Sequence, residues 1–456
     1  MNSYDVRFWD TRKIGDTARG RYRVRWSAGG REHCKSLPAK ALADAFLVTL
    51  KDAARDGKPF DPATGLPAQP KPAGQPDVTW YEHARAYMQM KWPDLAPKSR
   101  RSAAEALTTI TVALTGRRPQ APGPGTLRRA LFGYAFNAAS AARPVPAEIT
   151  RALDWVARAS LPVTALEDPG TVRAVLGACA RNLDGRPAAA TTVRRKRAVL
   201  AGALGYAVER RLLPANPLDR IRWKASEVAE TVDRRSVASP AQARRLLAAV
   251  RGQGPRGQHV EAFFGCLYYA ALRPSEAVAL READCVLPAR GFGRIDLAAS
   301  RPHAGTEWTD NGASRQERGL KHRPPGETRS IPIPPVLVAM LRAHIARYGA
   351  APDGRLFRTN RGGPLNDTGY GEVWQRARPQ ALTAAQQASP LARRPYDLRH
   401  AAVSLWLNAG VPATEVARRA GHGVAVLLRV YANCIDGQAG AANQRINDAL
   451  DEPDSE

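Results

Sequence analysis

Lysine and cysteine are scarce in this sequence, and long apolar runs are missing. Only 11 of the 68 basic residues are lysines; all the others are arginines. The five cysteines lie far apart, without a Cys-x-x-Cys pair or a Cys/His cluster, which argues against structural zinc and against a disulfide framework. No run of about 18 apolar residues occurs and the N-terminus has no apolar secretory core. We therefore expect a soluble, cytoplasmic protein with reduced thiols.

Acidic residues are also scarce relative to basic ones. The 456 residues include 42 Asp and Glu against 68 Lys and Arg, a net charge of +26. A GC-rich genome would account for the preference for arginine over lysine, but it does not account for this excess of positive charge. Guanidinium groups stay ionised and offer paired donors to phosphate oxygens. The composition therefore indicates a polyanionic partner, with nucleic acid favoured over a membrane surface.

Proline-rich and polar stretches divide the chain, and the pattern predicts a multi-domain, mainly α protein with small β-sheets. Four prolines within ten residues near position 70 predict a stiff linker. Ser239 and Pro240 are typical of a helix start, with Ser as N-cap and Pro in the first helical position. Residues 117–147 have weak periodicity and are not assigned. The predicted segments are 1–66 (sheet plus helix), 67–77 (linker), 78–224 (helical), 225–238 (linker), 239–436 (third domain) and 437–456 (tail with a short amphipathic helix).

The N-terminal segment predicts a three-stranded sheet backed by one helix. Residues 4–9 and 21–26 alternate apolar with charged side chains, a third strand is expected near 32–37, and 39–55 has helical periodicity. The sheet arginines are expected on the face away from the helix, where they are either solvated or in contact with DNA. The two that we single out on this face are Arg23 and Arg25.

A basic helix is predicted near 191–212. Leu200, Leu204 and Val208 recur at four-residue spacing and form its buried stripe. Nine basic residues against two acidic ones between 191 and 224 indicate either a solvated face or a set of phosphate contacts. The side chains expected to contact DNA are Arg194, Arg195, Lys196, Arg197, Arg210 and Arg211.

Two motifs whose side chains are suited to catalysis lie in the first half of the third domain. In Ala-Leu-Arg-Pro-Ser-Glu, Pro274 excludes Arg273 from helical geometry and starts a new helix, so Arg273 is expected at a sharp corner with Glu276 holding it. Lys321 precedes a Pro-Pro-Gly turn, which predicts an irregular hairpin with Lys321 beside its loop. It is the only lysine from 225 to 456, which suggests chemistry that arginine cannot perform, namely giving up a proton.

Two further motifs follow near the end of that domain. Tyr396 and Arg399 are three residues apart near the start of one helix, so they are expected to face the same way. His400 is expected to face away and to be structural. Glycines around His422 allow a loop there, from which His422 projects, while Tyr431 comes from the following helix.

The set Arg273, Lys321, Arg399, His422 and Tyr431 resembles, in order and spacing, the tyrosine recombinases, specifically phage or mobile-element integrases. The resemblance is strong over 239–436. More loosely, the helical segment before it looks like the family's core-site-binding domain, and the N-terminal sheet and helix look like an arm-type DNA-binding domain. Two departures are visible: the family usually has His where this chain has Tyr396, and the interval from Lys321 to Arg329 is longer than usual.

The resemblance implies roles for these residues. Tyr431 would attack a DNA phosphodiester to give a 3′-phosphotyrosyl link and a free 5′-hydroxyl, without ATP, metal or any other cofactor. Arg273 and Arg399 would bind the non-bridging oxygens, His422 would donate a further hydrogen bond, and Lys321 would be the general acid. Tyr396, a phenol in place of the usual His, is expected to bond and position rather than act as a base.

The implied function is site-specific integration, and also excision, of a phage or mobile element. The implied partners are double-stranded DNA attachment sites and a homotetramer assembled on them, with an excisionase and a DNA-bending host factor as accessory partners and the nucleoid as location. The tail would pack on a neighbouring protomer or fray. Two alternatives stay open: a catalytically impaired DNA-binding regulator on the same fold, which Tyr396 motivates, and a topoisomerase similar to type IB.

Overall fold

The chain forms two compact units in a computed structural model, Met1–Val78 and Thr79–Glu456. The predicted class, mainly helical with small β-sheets, is confirmed, and the described residues contain two three-stranded sheets. The predicted linker 67–77 and tail 437–456 lie almost entirely outside the described residues. The structure describes residues 3–14, 21–67, 78–116, 118–182, 185–223, 231–321, 324, 326–359, 361–434, 443, 444, 447 and 450.

The first unit is an antiparallel sheet in the order β1-β2-β3, covered on one face by a helix. Its elements are β1 Val6–Ile14, β2 Arg21–Ala28, β3 Arg31–Leu37 and α1 Lys40–Arg55. Gly29 and Gly30 have positive φ and turn β2 into β3. Along β2 buried and exposed side chains alternate. Val24 and Trp26 are buried with Leu47 of α1, whereas Arg23 and Arg25 are exposed. The strands, the turn and the helix predicted for this unit are confirmed.

The described residues of the first part of the second unit include six α-helices. They are α2 Trp80–Lys91, α3 Pro97–Ala113, α4 Pro124–Ala130, α5 Ala147–Ala159, α6 Pro169–Cys179 and α7 Ala190–Glu209. Thr79 and Glu82 form a capping box that starts α2, because each side chain bonds a backbone N–H that the helix leaves unpaired. The unassigned stretch 117–147 contains α4, followed by a π-helical turn at Leu131–Ala135.

The remainder of this unit packs around α9, which is buried on nearly all sides. The helices are α8 Pro240–Arg251, α9 Gly254–Tyr269, α10 Pro274–Ala279, α11 Pro335–Tyr348, α12 Asp367–Ala381, α13 Ala384–Ala388, α14 Asp397–Asn408, α15 Ala413–Ala420 and α16 Val424–Tyr431. The strands are β4 Cys285–Val286, β5 Gly293–Leu297 and β6 Arg329–Ile333, antiparallel in that order. Ser239 caps α8 through a capping box, as predicted.

The predicted hairpin around the Pro-Pro-Gly turn is wrong, since the partner of β6 is β5 and Leu297 pairs with Arg329. The reason is burial: Ile295 and Leu297 of β5 both belong to the core, whereas Leu320 is the only large apolar residue between 314 and 321. Within the connection between β5 and β6, Ser300 and Arg318 pair through an isolated antiparallel β-bridge. Near its tip Trp308 is completely buried.

Candidate active site

A sharp corner between α9 and α10 holds Arg273. Ala271 has a φ of 51°, which turns the chain after α9, and Pro274 keeps Arg273 extended as the N-cap of α10. Glu276 accepts from the backbone N–H of Arg273 at 2.8 Å and from its Nη1 at 2.7 Å. The predicted pair is therefore present: one carboxylate oxygen binds the backbone N–H of Arg273 and the other binds its guanidinium.

Glu276 is the centre of a buried cluster of arginines. Its carboxylate accepts from Nη1 and Nη2 of Arg329 at 3.1 and 2.8 Å, and Nη1 of Arg399 lies 4.0 Å away. Burial alone raises the pKa of Glu276, but the charge and hydrogen bonds of Arg329, and then the charges of Arg273 and Arg399, outweigh it and lower that pKa to about 2. Three guanidinium groups thus surround one ionised carboxylate.

Arg329 is absent from the residues predicted from the sequence, although a pattern for it exists. It begins β6, whose alternation places it on the same face as Ile331 and Ile333. A charged residue in the register of two core residues predicts a buried, paired charge.

Arg399 is completely buried in the first turns of α14. It donates from Nη1 to the carbonyl of Ala271, and from Nη2 to the carbonyl of Ala420 and to Nε2 of His422. Arg273 donates from Nη2 to the carbonyl of Gly421 at 2.8 Å. Arg399 and Arg273 therefore bind two consecutive carbonyls, those of Ala420 and Gly421, in the turn that precedes His422.

The glycine turn before His422 is present as predicted. Gly421 ends α15 in the left-handed conformation with a φ of 64°, which glycine adopts without steric cost. Because arginine only donates, Nε2 of His422 accepts from Arg399 at 2.8 Å and a neutral ring carries its proton on Nδ1. Burial and then Arg399 and Arg273 lower the pKa of His422 to about 3. Its Nδ1 is buried without a hydrogen-bond partner among the described residues.

Tyr431 ends α16 and is completely buried. Its ring stacks on that of His422 with centroids 6.1 Å apart and an interplanar angle of 29°. Burial raises the pKa of Tyr431 above its ordinary value, more than the charge of Arg399 lowers it, so the hydroxyl is neutral. The predicted meeting of a loop histidine with a tyrosine from the next helix is confirmed.

The prediction that His400 faces away from this site is wrong. Its Nδ1 lies 2.9 Å from the hydroxyl of Tyr431, and the ring of Tyr396 meets it edge-on at 5.0 Å and 75°. Neighbouring residues on a helix project about 100° apart, so Arg399 and His400 can border the same site from one helix end.

Lys321 lies outside the buried cluster. It is exposed in the connection between β5 and β6, directly after the buried Leu320. Its predicted role as general acid stays a prediction.

The basic side chains predicted to bind DNA have different surroundings. Arg23 and Arg25 are exposed on the sheet face away from α1. Arg25 lies over the ring of Trp9 at 5.4 Å and pairs with Glu32 at 2.9 Å. The two arginines therefore lie on the predicted face of the sheet, with the Trp9 ring beside Arg25.

On α7 the side chains predicted to bind DNA differ in exposure. Arg194 and Arg195 are exposed and Arg197 is half-buried, and Arg195 pairs with Glu105 at 2.8 Å. Lys196 is only 4% exposed, so its assignment to DNA contact is wrong. Lys196 lies four residues before Leu200 and therefore continues the buried stripe toward the start of the helix.

The two arginines after α7 also differ. Arg210 is half-buried, lies over the Tyr206 ring at 5.6 Å and is 3.3 Å from Nδ1 of His83. Arg211 is exposed and has a φ of 58°. Of the two, Arg211 is the more accessible to a ligand.

The described part of the chain offers neither a metal cluster nor a membrane span. Among those residues, no group of three or more His, Cys, Asp or Glu side chains could hold a metal ion. In the same part of the chain, no helix combines the length and apolar character needed to cross a membrane.

The site and fold can be compared with known proteins. No family model matches the sequence, and no curated protein sequence matches it. Among solved structures, the chain is similar to a Tn1549 transposon integrase fragment in complex with a circular intermediate DNA. That similarity has 17% identity and a TM-score of 0.48, and it covers 68% of this chain and 96% of the other.

Two further structures are recombinases bound to DNA. XerH site-specific recombinase bound to its difH substrate has 10% identity and a TM-score of 0.47, over 84% of this chain and 99% of the other. A lambda integrase dimer bound to a COC′ core site has 14% identity and a TM-score of 0.38, over 69% and 76%. These similarities concern the fold; the chemistry of the site follows from the side chains of this chain.

Proposed function

We propose that the chain is a site-specific DNA recombinase of the integrase type that cleaves and rejoins strands through a 3′-phosphotyrosyl intermediate at Tyr431. The buried charge around Glu276 carries this proposal. Arg273, Arg329 and Arg399 bring three positive charges to one carboxylate, so two remain uncompensated. A buried excess of positive charge favours an anion, and a phosphodiester has one negative charge and oxygens that match guanidinium donors.

Arg273, Arg399, His422 and Lys321 each have a role in this reaction. Arg273 and Arg399 bind the non-bridging oxygens and stabilise the charge that develops in the transition state. The buried N–H of His422, which has no partner among the described residues, donates to the same phosphate. Lys321 gives a proton to the leaving 5′-oxygen, which requires the connection between β5 and β6 to approach the bound DNA. Tyr431 is buried in the free chain, so its cover moves when DNA binds.

The proposal includes double-stranded attachment sites of a phage or mobile element and exchange between two sites in a tetramer. The exposed arginines grip the DNA backbone: Arg23 and Arg25 on the sheet, Arg194 and Arg195 on α7. Contacts to phosphate fix register without reading sequence, so base readout has to come from other side chains.

A suicide substrate tests the proposal. The full chain first selects its preferred duplex from a random DNA library, and a nicked form of that duplex traps the covalent adduct. We expect wild type to form the adduct and Tyr431→Phe to form none. Tyr348→Phe is the matched control, because the Tyr348 hydroxyl is buried without a hydrogen-bond partner among the described residues and its loss should leave the adduct yield unchanged.

The same assay separates the alternatives. Selective binding by wild type without an adduct would contradict the proposal and favour a DNA-binding regulator. Relaxation of a supercoiled plasmid that lacks the selected sequence would favour a topoisomerase. An adduct formed by Tyr431→Phe would show that another residue is the nucleophile.

A further inference from the structure

The hydroxyl of Tyr431 must lose its proton when its oxygen attacks phosphorus, and the structure contains a base beside it. Nδ1 of His400 lies 2.9 Å from that hydroxyl, with the rings 5.7 Å apart. This distance is that of a direct hydrogen bond. The other histidine next to Tyr431 is already engaged, because Nε2 of His422 accepts from Arg399.

We propose that His400 is a catalytic residue that takes the proton of the Tyr431 hydroxyl during strand cleavage. The inference rests on the proposed function and deepens it. In this arrangement the His400 ring carries its own proton on Nε2, and Nδ1 has the free electron pair. Tyr396 is then a positioning residue, because its ring packs edge-on against the imidazole.

The charges around His400 keep it neutral and available. Burial is the main cause, and Arg394 and Arg399 add to it against the opposing charge of Asp397, so that the pKa of His400 falls to about 4. Tyr431 and His422, which face it from other elements, are neutral, and the charged residues that share its cavity are Asp233, Arg393, Arg394 and Asp397. A bound phosphodiester adds negative charge close to Arg399, which offsets that arginine and raises the proton affinity of His400 when the substrate is in place.

The accepted proton also has a route out. His400 borders an open cavity of about 710 Å³ whose lining includes Asp233, Arg393 and Asp397. A neutral imidazole that gains a proton on Nδ1 can release the one on Nε2, as histidine relays do.

The step balances in atoms and charge. The Tyr431 O–H bond breaks and its proton passes to Nδ1 of His400, while the phenolic oxygen bonds to phosphorus. The bond from phosphorus to the 5′-oxygen breaks, and the 5′-oxygen takes a proton from Lys321. In rejoining, the 5′-hydroxyl returns its proton to Lys321 and Tyr431 recovers one from His400.

A change of leaving group separates the base from the acid. His400→Asn and His400→Gln keep a polar side chain but cannot take a proton, and we expect each to slow cleavage of the nicked duplex by about 100-fold or more at saturating DNA. Replacing the bridging 5′-oxygen with sulfur removes the need for an acid, because thiols ionise far more readily than alcohols. The sulfur substrate should therefore restore Lys321→Ala and leave both His400 variants slow.

A more acidic nucleophile supplies the second arm. Fluorinated tyrosine placed at position 431 loses its proton more easily, so it should restore much of the rate in His400→Asn while changing wild type little. A purely structural role for His400 predicts no such rescue. His259→Asn is the control, since His259 is half-buried against His344 and Tyr348.

The outcomes are distinct from those of the proposed function. If wild type forms an adduct and the His400 variants cleave within about threefold of it, the inference is wrong and the recombinase proposal stands. If the His400 variants are slow but sulfur restores them, His400 acts on the leaving group and the inference is again wrong. Absence of any adduct with wild type would overturn the recombinase proposal itself.

Discussion

Arginines of β2 and β6, one strand from each three-stranded sheet, are used in opposite ways. In β1–β3 the arginines of β2 alternate with core residues and face solvent. In β4–β6 Arg329 occupies the same register as Ile331 and Ile333 and faces the core. An arginine of each sheet also pairs with a glutamate at nearly equal distance, 2.9 Å for Arg25 with Glu32 of β3 and 2.8 Å for Arg329 with Glu276 of α10.

Burial separates these two pairs. The side chains of Arg25 and Glu32 are 46% and 62% exposed, whereas those of Arg329 and Glu276 are each 1% exposed. An exposed pair contributes about 0.2–1 kcal/mol because water screens it. Removing one partner of a buried pair costs about 3–5 kcal/mol, since the other charge is left without compensation. The exposed arginines can contact phosphates along a DNA backbone, whereas the buried arginines around Glu276 are held in place to bind one phosphate.

The largest effect is expected for Glu276→Gln. The change leaves Arg273, Arg329 and Arg399 without their carboxylate, and we expect the second unit to lose about 3–5 kcal/mol of unfolding free energy. Urea denaturation of the full chain measures it. Leu405→Gln in the exposed part of α14 is a control for loss of a surface side chain, and a loss below about 1 kcal/mol in Glu276→Gln would contradict the buried network.

The stability difference between wild type and Glu276→Gln should also depend on pH. Glu276 has a folded pKa of about 2, below the value of about 4.3 expected for an unfolded chain. Its stabilising contribution is therefore complete above pH of about 4.3 and is lost as the pH falls toward 2. The difference in stability between wild type and Glu276→Gln should narrow across that window; a constant difference would count against an ionised Glu276.

The next effect concerns the space beside Arg329. In Gly421→Ala the new methyl group would collide with the guanidinium of Arg329, at a residue whose φ of 64° disfavours other side chains. We expect a loss of about 1–3 kcal/mol in unfolding free energy and a slower cleavage step. Gly423→Ala is the matched control, because its methyl group meets nothing within 4 Å and its φ is −72°; equal losses in both variants would contradict a specific role for the space at Gly421.

Sequence patterns predict much of this site, for a physical reason. Pro274 dictates the corner at Arg273, and the glycine at 421 dictates the turn before His422, so local chemistry fixes both. Tyr431 follows from its short distance along the chain to that turn. The resemblance to tyrosine recombinases joins these local features into one site.

Contacts between residues that are far apart in the sequence could not be predicted. His400 is predicted on the wrong face because its partner, Tyr431, lies on a different helix. Lys196 is predicted as a surface charge because the buried stripe of α7 extends a turn further than its leucines indicate. The alternation of Arg329 with Ile331 and Ile333 is visible in the sequence, but its pairing with Glu276 is not.

Substitutions on the exposed face of the β1–β3 sheet should change DNA affinity rather than unfolding free energy. In Arg23→Ala/Arg25→Ala we expect weaker binding, and a salt dependence of log affinity reduced by about 0.9 for each phosphate that the variant no longer neutralises. Cleavage at saturating DNA should be unchanged. Binding titrations at several salt concentrations measure the slope, with Lys51→Ala, exposed on α1, as the control; an unchanged slope in the double variant would remove this face from the DNA interface.

The smallest effect is expected for Glu32→Gln, the exposed counterpart of Glu276→Gln. Arg25 stays solvated when its partner is neutral, so the unfolding free energy should change by less than about 1 kcal/mol. Removing a negative charge beside Arg25 should also strengthen DNA binding, most at low salt, because screening weakens the repulsion between Glu32 and phosphate. Urea denaturation and the same titrations test both points. If Glu32→Gln destabilised the chain as much as Glu276→Gln, burial would not be what separates the two sheets.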